Sequence, residues 1–190
     1  MVSIEGDGNT ISVGAGCRFT DLKIMMVGDG HRLVIGRSCR LRGKLKLEDR
    51  EGNIVIGDAV TMENAYLGVY DVGISLVIGD DCMFAEQVGV RGGDMHSIVD
   101  EQSGRRINPS KNIEIGKHVW LGRGVTVLKG ARIGEHVVVG AHGLVTGALP
   151  PHSLCVGSPA KPVRTGITWC RDRLPGDGHV AATNAAGQRA

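Results

Sequence analysis

The chain has 190 residues and a formal net charge of +2 with histidine counted neutral. That length suits a single domain with a substantial core, and the near-balance of charge excludes the broad basic field of a nucleic-acid-binding protein. Glycine supplies 30 residues, twice the ordinary share of about 7%, while aromatic residues make up only 3%. Many small residues and few rings point to narrow, tightly turned layers.

The first ten residues, MVSIEGDGNT, are polar and acidic. They lack the basic start and apolar run of a signal peptide. No run of about 18 apolar residues occurs, so a membrane-spanning helix is not expected. Cys17, Cys39, Cys82, Cys155 and Cys170 are odd in number and include no CxxC pair. A disulfide framework or structural zinc site is therefore not expected. The cysteines read as small buried thiols in a reducing cytoplasm.

From Val13 the chain repeats an aliphatic residue followed by glycine: VGAGCR at Val13, IGRSCR at Ile35, IGDAVT at Ile56 and IGDDCM at Ile78. These anchors lie 22, 21 and 22 residues apart, and the next, Ile115, follows after 37. From there the period tightens to six: IGKHVW, LGRGVT, VLKGAR, IGEHVV, VGAHGL, VTGALP. The first position is always aliphatic (Ile115, Leu121, Val127, Ile133, Val139, Val145). The fifth is small or aliphatic (Val119, Val125, Ala131, Val137, Gly143, Leu149).

A period of six with an aliphatic anchor is the signature of a parallel β-helix. Each hexad makes a short strand and a corner. Alternation sends its first and fifth side chains inward and its fourth and sixth outward. Three hexads close a triangular coil, so Ile115 is expected to stack on Ile133, and Leu121 on Val139, about 4.8 Å apart. Glycine after the anchor is expected to ease the sharp corner. The extra residues of the early coils fit corner loops around Gly28–Arg32 and Leu47–Asn53.

The long gap before Ile115 contains VRGGDMHSIVDEQSGRRINPSKN, residues 90–112, which follows no repeat. It is read as a protruding loop at about 91–112. After Pro150 the rhythm stops, and four prolines in PPHSLCVGSPAKPVR are expected to end the strand ladder. Ile167–Leu174, ITWCRDRL, is read as a short terminal helix or cap, and the small polar end as a mobile tail. The predicted fold is all-β: a β-helix domain over 1–165 with the loop inserted, then an extension over 166–190.

A prism packed on the inside must do its chemistry outside, and loops supply it. His96 is the candidate base, because an imidazole can be neutral near pH 7 and accept a proton. Asp94 or Asp100 could hold its ring, and Gly92 and Gly93 could let the backbone approach a ligand. A solvated surface histidine is the plain alternative. Trp120 is outward, as are Val138 and Leu144, which suggests a groove or a subunit interface. His118 and His136 should stack on one face. No acidic neighbour is evident there, so no metal is expected. Arg91, Arg105, Arg106 and Lys111 flank the loop and would suit an anionic acceptor, or form a solvated face.

The stretch from GGDMHSI through NIEIGKHVWLGRGVTVLKGARIGEHVVVGAHGLVTGALPPHSLCVGSPAKPVR resembles the hexapeptide-repeat acetyltransferases. The likeness is to those that O-acetylate bacterial capsular and surface polysaccharides, including polysialic acid. It covers residues 78–165 in detail. It implies left-handed winding, an exception to the right-handed crossover rule. It also implies acetyl-CoA as co-substrate, a homotrimer with sites between subunits, and a carbohydrate acceptor. His96 maps to the catalytic base and Trp120 to the active site, with Asp94 beside them. Gly122, Gly140, Ala141, Thr146, Lys161 and Arg164 are assigned to the co-substrate, the last two as partners of its phosphates. Arg91, Arg105 and Arg106 are assigned to the acceptor. Other readings are an acetyltransferase for a small molecule, a non-catalytic scaffold, and a zinc lyase of the same fold.

Overall fold

The computed structural model describes residues 1–176 and 178. Most of the tail read as mobile lies outside the described residues. In chain order the strands are β1 (Val2–Glu5), β2 (Thr10–Val13), β3 (Arg18–Asp29), β4 (Arg32–Ile35), β5 (Arg40–Arg50), β6 (Asn53–Ile56), β7 (Thr61–Val69), β8 (Ser75–Ile78) and β9 (Met83–Arg91). After the loop come β10 (Ile113–Ile115), β11 (Trp120–Leu121), β12 (Thr126–Leu128), β13 (Arg132–Ile133), β14 (Val138–Val139), β15 (Leu144–Val145), β16 (Ala148–Leu149), β17 (Ser153–Gly157) and β18 (Ala160–Thr165). No helix occurs among the described residues.

The strands stack in parallel into three faces, as the repeat requires. The first face is one ladder, β2-β4-β6-β8-β10-β13-β16. The second runs through the starts of β3, β5, β7 and β9 to β11, β14 and β17. The third runs from β1 through the ends of the same long strands to β12 and β15. The long strands each bend across a corner, where register shifts at Phe19/Leu22, Leu41/Gly43 and Asn64/Ala65 match one coil to the next, while the extra residues of the early coils lie on the way back to the first face, around Gly28–Arg32 and Leu47–Asn53. Ile115 pairs with Ile133, and Leu121 with Val139, as expected.

The core is a set of aliphatic columns. Ile35, Ile56, Ile78, Ile115, Ile133 and Leu149 stack in register along the first face, all buried. All twelve positions predicted to point inward between Ile115 and Leu149 are buried. Each buried Val, Leu or Ile among them contributes about 1.5–3 kcal/mol relative to exposure. Cys39, Cys82 and Cys155 are buried among them, and all five cysteines are free. Burial pushes the Cys39 thiol up to about 11 and the Cys82 thiol up to about 12.

Three expectations need correction. First, the glycine after each anchor is not what turns the corner. The left-handed backbone belongs to the hexad's fourth residue, with φ of 53° at His118 and 57° at His136. The glycine is needed because successive corners nearly touch. A Cβ on Gly116 would lie 2.8 Å from the Glu135 amide nitrogen, and one on Gly79 would lie 2.6 Å from that of Lys117. Second, the prolines do not end the ladder. β17 pairs in parallel with β14, then folds back antiparallel on β18. Pro150 and Pro151 sit at a corner, Pro159 follows a cis peptide in the hairpin turn, and Pro162 lies on an edge strand, where a missing N–H costs little. Third, Ile167–Leu174 is an irregular strap and not a helix, because its polar groups find partners on the prism.

Gly116→Ala is expected to destabilise the chain by about 1–3 kcal/mol, the usual cost of overpacking. Gly147 has nothing within 4 Å of a built Cβ and no positive φ. Gly147→Ala is therefore expected to be neutral or to stabilise by up to about 1 kcal/mol. Urea unfolding midpoints of the two variants check the contrast.

Candidate active site

The loop leaves β9 on the third face and re-enters at β10 on the first, so it rises from the corner between them. Its outer half is a small hairpin. Val99 bridges Arg106, Asp100 N–H donates to the Arg105 carbonyl at 2.8 Å, and Ile107 N–H donates to the Ile98 carbonyl at 2.8 Å.

Asn108 braces this hairpin from below and is nearly buried. Its amide donates to Asp94 Oδ2 and to the His96 carbonyl, both at 2.8 Å. Its Oδ1 accepts from Ile98 N–H at 2.7 Å and from Arg106 Nε at 3.3 Å. Lys129, on the next coil, donates to both the Asp94 carboxylate and the Asn108 carbonyl. Arg106 reaches back to Asp71 at 2.9 Å, tying the loop to the preceding coil. Lys129 first, then Asn108, hold the Asp94 carboxyl below the usual carboxylate range. Arg106 chiefly does the same for Asp71.

His96 sits on this braced platform, exposed, and its ring makes no hydrogen bond with the described residues. Its backbone is held while its imidazole is free. Neither candidate carboxylate holds that ring. Asp94 is engaged by Lys129 and Asn108, and Asp100 caps its own turn by accepting from Ser103 N–H and Oγ–H. Gly92 and Gly93 serve packing: a Cβ on either would press on Ile74 or Ser110. Arg106 is spent on Asp71, whereas Arg105 and Arg91 are exposed. Arg91 lies 4.7 Å over the Tyr66 ring.

Trp120 opens the second face and is 37% exposed, outward as expected. The first face separates it from the loop, so one chain does not bring it to His96. Instead the strap approaches it. Trp169 lies 6.1 Å from the Trp120 ring and stacks on His118 at 4.2 Å. Trp169 Nε1 donates to the His118 carbonyl at 2.8 Å, and its own carbonyl accepts from His118 Nε2 at 2.8 Å. Ile167 N–H donates to His152, Thr168 Oγ1 meets His136 Nδ1, and Arg171 pairs with Asp81. The histidine stack is thus a docking ladder for the strap. The stack also has acidic neighbours: Asp81 lies 2.7 Å from His118 Nδ1, and Glu135 with His136 and His152 brings three donor atoms within 4.8 Å.

The residues assigned to the co-substrate are only partly gathered. Gly122, Gly140 and Ala141 lie at one corner on successive coils. Built Cβ atoms on Gly122 and Gly140 would press on Ala141 and Val156. Lys161 faces Val156 across the hairpin, and Arg164 lies further along the same edge strand. Thr146 belongs to another corner. Cys155 is fully buried against Ser153, a poor place for a nucleophile.

A transferase family model, described as "Bacterial transferase hexapeptide (six repeats)", matches residues 112–147. The polysialic acid O-acetyltransferase of Neisseria meningitidis is 34% identical over 128 residues, covering 67% of this chain and 59% of that protein. The Escherichia coli O1:K1 polysialic acid O-acetyltransferase is 34% identical over 118 residues, covering 62% of this chain and 38% of that protein. The chain thus spans less than two thirds of these curated relatives. The solved polysialic acid O-acetyltransferase OatWY superposes with a TM-score of 0.77 at 31% identity, over 92% of this chain and 93% of that one. The chain belongs to the hexapeptide-repeat acetyltransferase family.

Asn108, Lys129 and Asp71 escaped the sequence reading. Only Asn108 had a signal, an amide before proline in a loop otherwise rich in charge. Asn108→Ala leaves Asp94 and the His96 carbonyl short of a donor, worth about 1–3 kcal/mol locally. Faster proteolysis within 91–112, with the global melting temperature nearly unchanged, is the expected result. The Asp94 brace is present above the usual carboxylate range and is lost as pH falls through its lowered pKa, so wild-type protection should persist through mildly acid pH.

Proposed function

We propose that this protein is an acetyl-CoA-dependent O-acetyltransferase whose acceptor is a hydroxyl of a bacterial surface polysaccharide or its sugar precursor. The observation that carries the proposal is His96, whose backbone is braced and whose ring is left free and exposed. The relatives named as polysialic acid O-acetyltransferases support the reaction class and favour a carbohydrate over a small xenobiotic. A scaffold would not need a braced loop around a free imidazole.

The acceptor hydroxyl ionises far above neutral pH and attacks a thioester poorly alone. His96 accepts its proton as the oxygen attacks the acetyl carbonyl carbon. The tetrahedral oxyanion takes a hydrogen bond from a backbone N–H or from the Trp120 indole. Collapse breaks the C–S bond, and the His96 imidazolium returns the proton to the departing thiolate. Atoms and charge balance without an acyl-enzyme. Asp94 acts through loop position and not as a ring partner. Lys161 and Arg164 are the residues offered to the phosphates, and both are exposed.

Because His96 and Trp120 stand on opposite sides of the first face, a site that uses both needs a second copy of the chain. The loop offers the apolar surface for that contact: Met95, Ile98, Val99 and Ile107 are each about half exposed or more. A homotrimer in the cytoplasm fits this reading, and no described helix is long and apolar enough to cross a membrane.

Two measurements test the proposal. Thiol release from acetyl-CoA with a panel of surface polysaccharides should depend on acceptor and fall by about 10²–10⁴ in His96→Ala. Unchanged turnover in that variant removes His96 from the role. Sedimentation equilibrium should give a trimer, and a stable monomer with full activity would exclude the shared site.

A further inference from the structure

A groove of about 590 Å³ runs along the third face, clear of the loop and of the strap. Its long axis follows the coil axis. Register places Lys23 beside Lys44, Lys44 beside Tyr66, Tyr66 beside Gly89, and Gly89 beside Thr126. These are outward positions at one height on successive coils. From Lys23 to Gly89 is three ladder steps, roughly 14 Å.

The groove is cationic and largely unneutralised. Lys23, Arg42, Lys44 and Arg91 line it against one acid, Asp21. Asp21 pairs with Arg42 at 3.5 Å. Lys23 and Lys44 make no ion pair among the described residues. Lys46, two residues further along β5, is by contrast satisfied by Glu48 at 2.7 Å. The floor is open at Gly89, where a built Cβ meets nothing within 4 Å. Tyr66 stands beside that gap, held under Arg91 and against the Tyr70 hydroxyl. An aromatic ring beside spaced cations suits a sugar face with carboxylates at intervals.

The groove also points somewhere. Arg91, two residues beyond Gly89, borders the groove and is the last residue of β9, immediately before the loop that carries His96. A single sugar ring covers little more than one ladder step. We infer that the third face is a binding tract for an extended anionic glycan, which holds several residues of a polymer while another part of the chain reaches the loop. This rests on the proposed acetyl transfer and narrows it: the acceptor is the assembled polymer and not a monomeric precursor.

The test uses the full chain with fluorescein-labelled sialic-acid polymer, a uronic-acid polymer, a short sialic-acid oligomer and neutral dextran, read by anisotropy. One variant, Lys23→Glu with Lys44→Glu, reverses charge at exposed or half-exposed positions. The other, Gly89→Trp, fills the groove without changing charge. Wild type should bind at least one anionic polymer, more weakly as salt rises, and should bind the oligomer and dextran poorly. The double variant should lose about tenfold in affinity, from two reversed and partly screened contacts. Gly89→Trp should lose affinity as well, with melting temperature unchanged. In thiol release both variants should raise KM for polymer and leave turnover at saturation unaltered. Wild-type affinity for polymer in both variants overturns the tract. So does displacement of the polymer by inorganic pyrophosphate at equal concentration, which would make the groove a phosphate site. Polymer binding that behaves as expected without any thiol release would keep the tract and remove the acetyl-transfer reading.

Discussion

Everything in this molecule is constrained by the repeat distance between one coil and the next. Parallel backbone hydrogen bonds fix it at about 4.8 Å. At that spacing the residue after the anchor on the first face has no room for a side chain, which is why Gly79 and Gly116 face the backbone of the following coil at less than 3 Å from where a Cβ would stand. The interior has room only for one aliphatic column per inward position, and those columns are filled. Among the described residues the inward positions are packed with aliphatic side chains and not with groups that could bind a substrate or act in catalysis. Chemistry is pushed to interruptions of the repeat, and the one long interruption among the described residues is the loop over 91–112.

An interruption creates its own difficulty. A loop of this length would lose the positional precision that the coils provide. The remedy is polar and not apolar. Asn108 satisfies four groups at once, and Asp94, Lys129, Arg106 and Asp71 link the loop to the coils on both sides. Exposed ion pairs alone would contribute little. Here the carboxylates take charge-assisted bonds and the central amide is nearly buried, so the network fixes backbone geometry at His96. The ring itself is left without a partner, which keeps both nitrogens available.

Most of the fold was legible because a period of six is a covalent fact of the sequence. Knowing that Ile115 is an anchor fixes Ile133, Leu149 and the inward residues between them, with no need to know the rest. The corners were less legible. Both φ > 0 and close approach can explain glycine, and sequence does not separate them; here His118 and His136 carry the left-handed backbone. The prolines after 149 misled for a related reason. Proline forbids a donor, but corners, hairpin turns and edges do not ask for one. At the site, His96 and Trp120 stood out because each broke a pattern. Asn108 and Lys129 did not, since polar residues in loops are ordinary and their partnership joins positions 21 apart. The strap was invisible as well. Its structure is dictated by the histidine ladder it lies on, and a segment whose partners are remote carries no local period.

The four coils before the loop hold none of the residues proposed for the reaction, yet they make up nearly half of the chain. Supporting the loop requires only its neighbours, β7, β8 and β9 below and β10, β12 and β13 above. Stacking also fails to explain the outward side chains of the early coils, because outward positions do not touch the next coil's core. Their charges are not evenly scattered. On the third face Lys23 and Lys44 are aligned without counter-ions, while Lys46, two residues along, is paired. Unpaired cations in a row repel one another and weaken the coil stack slightly. A solenoid that tolerates this on one face gains a positive strip whose spacing is set by backbone geometry and whose length is set by coil number. That is the property a repetitive anionic ligand would exploit: the same stacking that closes the interior to substrate gives the exterior a regular set of contacts.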